Sequence, residues 1–176
     1  MKRVLLLLFL YLNLLSVSVG AHGEEEARPA LAVKSSISYT AALKIAQRAL
    51  QAGAEQGTDL AVAVVDREGI PLVVLRADNA TEQFVTGATR KAWTAVNLRN
   101  STRSLLKDIQ ENKQDDGQLP HVEKALFLMG GVPLMVGNTI VGGVGVAGSV
   151  NGLDDDACAR QAAQAFAELL NDREGK

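Results

Sequence analysis

The sequence predicts an α+β domain in which helices cover one antiparallel sheet. Two stretches carry the sheet. Residues 126–148 hold an apolar run, a Gly-Gly-Val-Pro break and a glycine-rich stretch interrupted at Gly137-Asn138, while residues 60–77 fold back around Asp66-Arg-Glu-Gly69. The third observation is helical spacing of apolar residues before, between and after these stretches. Strands joined by tight turns pair antiparallel, and the helices must then cover the faces of the sheet.

Each element follows in order. Thr40 is placed to cap a helix running to about Gln56, with Leu43, Ala46, Leu50 and Ala54 on one face and Gly57 to end it. Leu60 to Val65 is a nearly continuous apolar strand. Asp66 first and Gly69 fourth match a type I turn, and Pro71 to Ala77 returns as the second strand. Glu82 to Leu98 reads as a helix with Val85, Ala88, Ala92 and Ala95 aligned. Asn100 breaks it, and Ser101 or Thr102 caps a shorter helix to about Glu111. Asn112 to Gln118 is a polar loop. Lys124 to Met129 opens the second group of strands, followed by Leu134 to Val136 and Thr139 to Val146, so that five strands are expected in all. Gly137-Asn138 joins the last two as a primed turn, which requires positive φ. Asp154 to Asn171 closes the chain as a helix with Cys158, Ala162, Ala165, Phe166 and Leu169 inward.

Gly142, Gly143 and Gly145 weaken the strand that contains them. Such glycines are tolerated where another backbone or a flat ligand comes close, so this segment is expected to carry a binding surface. Gly143 to Gly148 also matches G-x-G-x-x-G. That dinucleotide fingerprint needs its glycines in a turn that opens a helix at once, whereas here they fall inside the strand.

Lys2-Arg3, the apolar stretch from Val4 to Val19 and the small residues Val19-Gly20-Ala21 have the layout of a cleaved secretory signal peptide, residues 1–21. Residues 22–38 read as a flexible leader and 39–172 as a single domain. The expected location is periplasmic or secreted, with no membrane span after cleavage. Cleavage takes two of the 18 basic residues and none of the 20 acidic ones, for a net charge near −4. With no basic patch and few aromatics, nucleic-acid binding is not expected. One cysteine, Cys158, cannot form an internal disulfide.

No enzyme constellation emerges: there is no G-x-S-x-G elbow and no P-loop. His121 is the best single metal-ligand candidate, because Pro120 fixes the chain before it and Glu123 follows two residues on. One such pair is too few for a zinc site. Met129 and Met135 read as core filler, and Cys158 as a buried structural thiol. Asp154, Asp155 and Asp156 read as helix capping and dipole-matched charge.

Residues 41–53 (AALKIAQRALQAG), 60–80 (LAVAVVDREGIPLVVLRADNA), 89–105 (TRKAWTAVNLRNSTRSL), 130–148 (GGVPLMVGNTIVGGVGVAG) and 154–159 (DDDACA) together resemble the GlcG/HbpS-like family, which includes the C-terminal domain of PduO. The resemblance implies a profilin-like fold with a five-stranded antiparallel sheet, homo-oligomers and, in several members, haem binding. It points to an exported haem- or tetrapyrrole-binding accessory protein. The alternatives are a non-haem accessory that binds a small acid in support of an exported dehydrogenase, or a weak haem-degrading enzyme. The implied pocket lies between the Gly130–Gly148 strands and the 76–102 region, with Gly130 and Gly131 at its edge. Arg76, Arg90 and Lys91 are its candidate cations for a propionate, Thr94 and Thr102 its candidate hydroxyls, and His121 its candidate ligand to iron. Histidine ligands in the family usually lie on the first helix or nearby, and residues 40–56 contain none.

Overall fold

The structure is a computed structural model, described here for residues 31–111 and 118–174. The expected signal peptide lies outside the described residues. The chain divides at Val33 into two units, and every element below belongs to the second, Lys34–Lys176. The order is α1 (Tyr39–Glu55), β1 (Ala61–Asp66), β2 (Pro71–Arg76), α2 (Glu82–Asn97), α3 (Thr102–Gln110), a 3-10 turn at Leu119–His121, β3 (Gly131–Val136), β4 (Thr139–Ala147) and α4 (Gly152–Glu174). The strands form one antiparallel sheet in the order β2-β1-β4-β3.

The α+β architecture is therefore as the sequence predicts, with four strands among the described residues rather than five. The missing strand is the segment opened by Lys124. Its backbone groups are taken by side chains of α2: Arg90 donates to the Lys124 and Ala125 carbonyls at 3.2 and 2.7 Å, and Thr94 Oγ1 accepts from the Leu126 N–H at 2.9 Å. Lys124 also sits at φ +68°, outside the extended region. Local apolarity invites a strand here, but non-local partners satisfy the chain first.

Both faces of the sheet are covered, and the two covers differ. On one face Val62, Val64, Val144 and Val146 pack with Ile45, Ala49, Cys158 and Phe166 of α1 and α4. On the other, Ala61, Ala63 and Val65 meet Ala88, Ala92 and Val96 of α2. This explains the unbroken apolar run of β1, since each alternate set of side chains has its own core. The second face is built from small residues, and α2 lies almost on the backbone. A Cβ at Gly145 would come within 2.0 Å of the Ala88 carbonyl oxygen, and one at Gly143 within 3.0 Å of the Ala92 carbonyl oxygen. The expected binding surface on these glycines is thus occupied by a helix of the same domain.

The ends of the elements follow from local chemistry. Ser38, rather than Thr40, caps α1, its hydroxyl accepting from the Ala41 N–H at 3.3 Å. Gly57 closes it at φ +70°, with Thr58 and Gly57 N–H groups reaching the Gly53 and Ala54 carbonyls in a Schellman arrangement. Ser101 caps α3. Asp66 makes the first hairpin turn, its Oδ1 accepting from Glu68 and Ile70 N–H groups. In the second hairpin Gly137 alone takes positive φ, +56°, as in a type II′ turn. Pro133 falls within β3 rather than before it, which an edge strand permits. The domain also starts earlier than residue 39: Ile37, placed in the leader from sequence, is buried and donates its N–H to the Val141 carbonyl at 2.8 Å.

Candidate functional site

Six of the eight candidate binding residues gather around α2, the chain leading into β3 and the first turn of α4: Arg90, Lys91, Thr94, Thr102, Gly130 and Gly131. Lys91 is the centre. It is carried on the sheet-facing side of α2, and its ammonium is buried, donating to the Val146 carbonyl and to Asp155 Oδ2, each at 2.8 Å. Both side chains of this ion pair are about nineteen-twentieths buried, at 4% and 5% exposure. Gly130 is the neighbour that allows the approach. It sits at φ +115°, and a Cβ there would lie 2.6 Å from the Val146 oxygen and 3.2 Å from Lys91 Nζ. Gly131 lets β3 start against the Lys91 carbonyl, and its N–H donates to Thr102 Oγ1 at 2.8 Å. Thr94, fully buried, donates to the Arg90 carbonyl while accepting from Leu126. Thr94 and Thr102 thus tie the chain before and at β3 to the α2–α3 region.

Arg76 and His121 lie apart from this junction. Arg76, at the end of β2, donates to the carbonyls of Ala77, Asp78 and Ala80 and so holds the loop that leads into α2. His121 is exposed at the end of the 3-10 turn, and the described residues hold no group of three or more His, Cys, Asp or Glu side chains fit to hold a metal ion.

A cleft of about 400 Å³ opens beside the Lys91 junction. Phe84, Leu126 and Leu128 give it apolar surface, Arg90 and Lys91 cationic groups, and Gly148 and Ser149 close one side. A larger cleft of about 640 Å³ lies on the α1–α4 side, between the residues preceding α1 and the end of α4. It is lined by serines and aliphatic side chains with Lys44 and Asp172 and holds none of the candidate residues. Of the two, the smaller is the candidate site, because it joins an apolar wall to buried ionic groups and the larger does not.

Two of its residues escape the sequence reading. Asp155, within a run read as helix capping, is the counter-ion of Lys91, and its Oδ1 also accepts from the Ser149 N–H at 3.0 Å. The Ser149 hydroxyl is shielded from solvent and has no hydrogen-bond partner. The next aspartate, Asp156, is fully buried and receives Arg103 and Arg160 on Oδ2. Three consecutive aspartates carry no mark in the sequence of which is buried: Asp154 is exposed, whereas Asp155 and Asp156 are buried. Cys158 is a buried thiol as expected. Burial pushes its pKa above the ordinary 9.0, helped by the negative charges of Asp155 and Asp154 and opposed by a hydrogen bond from Gln56 and the charge of Arg48.

Comparison with known proteins agrees with this architecture. The family model for the haem degrading protein HbpS-like matches residues 37–164. An uncharacterized 15.0 kDa protein from the dhaT-dhaS intergenic region of Citrobacter freundii is 31% identical over 137 residues, 76% of this chain and 94% of its own length. The crystal structure of a double mutant of Streptomyces reticuli HbpS has a TM-score of 0.72 at 37% identity, covering 78% of this chain and 92% of that one. The crystal structure of the PduOC:haem complex has a TM-score of 0.68 at 25% identity, covering 74% and 94%. The family match spans β1 to β4 and most of the helical cover, and on that ground the chain belongs to the HbpS-like family.

Proposed function

We propose that the mature chain is an exported, homo-oligomeric accessory protein that binds haem or a related tetrapyrrole. The observation that carries this reading is the cleft that sets Phe84, Leu126 and Leu128 beside Arg90 and Lys91. Apolar side chains suit the face of a macrocycle, and cations suit its carboxylates. The solved complex of a relative with haem supports the same ligand class. Lys91 would hold the charged edge, with Thr94, Thr102, Gly130 and Gly131 fixing its position and that of β3. His121 is the residue assigned to iron. It is exposed, five residues before Leu126 on the segment that leads into the cleft wall. Bound haem would supply iron-centred redox and oxygen chemistry.

Export rests on the signal-peptide layout of residues 1–21, and no described helix is long and apolar enough to cross a membrane. Self-association is supported by exposed Leu128, which lines the cleft, and by exposed Val150 and Leu153, which follow the cleft residue Ser149 in the chain. Large apolar side chains left exposed gain from cover by another protein surface where they gather into a patch.

The test is a haem titration of the chain lacking residues 1–21, read at the Soret band, with His121→Ala in parallel and the molecular mass measured by light scattering. Saturable binding, changed in the variant, is the expected result. Saturable binding unchanged by the variant would move the iron ligand elsewhere. Absence of saturable binding would overturn the haem reading. Loss of the band with reductant and oxygen, yielding bilin-like products, would make the protein a haem-degrading enzyme rather than a carrier.

A further inference from the structure

Among the described residues, Ser149 Oγ is the one buried side-chain oxygen or nitrogen of the cleft lining that has no hydrogen-bond partner. It is shielded from solvent, while the Ser149 backbone N–H is fixed on Asp155 Oδ1. A buried hydroxyl without a partner is uncommon in folded proteins, because it has given up water and received nothing in exchange. The same carboxylate holds Lys91 through Oδ2. Lys91 in turn has three N–H donors and spends two of them, on Asp155 and on the Val146 carbonyl. Arg90 spends Nε and Nη2 on the Lys124 and Ala125 carbonyls, which leaves Nη1. Donors are therefore in surplus on one side of the cleft. The nearby acids are already engaged, Asp155 by Lys91 and Ser149, and Glu82 by the Thr86 hydroxyl.

We infer that Ser149 Oγ, the third Nζ proton of Lys91 and Arg90 Nη1 form a carboxylate-binding site at this end of the cleft. Asp155 acts through its neighbours: it fixes the Ser149 backbone and the Lys91 ammonium in one arrangement and keeps Lys91 from being a bare buried charge. An incoming carboxylate has acceptor capacity for all three donors, and its flat apolar remainder would lie along Phe84, Leu126 and Leu128. The ligand chemistry is a carboxylate on a flat apolar body. A haem propionate is one source and a small aromatic acid is the other. The inference deepens the haem reading where the source is haem, yet it can stand without it.

The experiment compares the mature chain with Ser149→Ala. That change removes a group with no partner in the domain, so the thermal transition should move by no more than about 1 °C. Both proteins are titrated with haem, with iron protoporphyrin dimethyl ester, with benzoate and with benzamide. Haem bound about tenfold more weakly by Ser149→Ala is the expected result, a typical loss for a hydrogen bond to a charged group. The diester, which lacks the free carboxylates, should bind both proteins equally and weakly. If haem fails to bind the mature chain but benzoate binds, with a similar loss in Ser149→Ala and no binding of benzamide, the haem reading falls and the carboxylate site stands. Equal binding of haem by both proteins, or a diester that matches the free acid, overturns the carboxylate site and leaves the haem reading intact. Failure of all four probes overturns both.

Discussion

Gly145→Ala tests whether the glycines of β4 face a ligand or a helix. The added Cβ would lie 2.0 Å from the Ala88 carbonyl oxygen and 2.6 Å from the Ala92 nitrogen, both backbone atoms of α2. Ordinary contact begins at 3.4 Å, so the helix must retreat by about 1.4 Å or the strand must bend by as much. Neither side can yield cheaply. α2 packs on β1, β3 and β4 and carries the buried Lys91, while β4 is hydrogen-bonded on both sides. Overpacking of this kind costs about 3 kcal/mol. The gain from a stiffer unfolded chain is below about 1 kcal/mol. For a domain of this size the net loss corresponds to a transition lowered by roughly 10 °C. The control is Gly87→Ala, on α2 itself, where the new Cβ would meet only the Ala147 Cβ, at 3.4 Å. That change should be neutral or stabilising by up to ~1 kcal/mol, as for glycine in a helix interior. Thermal melts of ligand-free protein read both. An unchanged transition in Gly145→Ala, with ligand binding lost, would refute the helix-approach argument and restore these glycines as a ligand surface.

Lys91→Met leaves Asp155 buried without its counter-ion and should cost about 3–5 kcal/mol in urea denaturation. Adding Asp155→Asn, which keeps an acceptor for the Ser149 N–H, should restore at least half of that loss, and failure to do so would show that the ion pair is not what the single change breaks. Cys158 should resist thiol reagents in the native protein at pH 8 and react once the chain is unfolded. Its folded pKa is raised, so between the ordinary 9.0 and the folded value the unfolded chain releases a proton that the native chain keeps, and stability falls as pH rises through that range. Cys158→Ala should flatten that alkaline slope; an identical slope in the variant would remove the thiol from the explanation.

The fold was legible wherever the determining interaction is local. Asp66 and Gly69 specify their turn because both hydrogen bonds and the positive φ are made within five residues. Gly57 ends α1 for the same reason. Helical spacing marked Ala88, Ala92 and Ala95 as one face of α2, and all three are buried. The errors fall where distant residues intervene. Nothing in the apolar run 125–129 announces that Arg90 and Thr94, more than thirty positions earlier, will take its backbone groups. The glycines of β4 announced a close approach but not its source, because a strand sequence does not state which neighbour lies above it.

The candidate site obeys the same division. The family resemblance, with the need of an anionic ligand for a cation, singled out Lys91, and it supplied Thr94 and the Gly130-Gly131 pair as well. What sequence could not supply is that Lys91 is buried, since a lysine on an alanine-rich helix ordinarily extends into water. Its burial depends on Asp155, 64 positions away, and on a gap left by Gly130. A buried ion pair is seldom the most stable way to fill such a space, because desolvation offsets most of the attraction. Packing therefore does not account for Lys91 and Asp155. Their surplus of directed donors, beside a hydroxyl left without a partner, is chemistry facing a cleft, and that makes this junction rather than the larger cleft the place where a ligand should be sought.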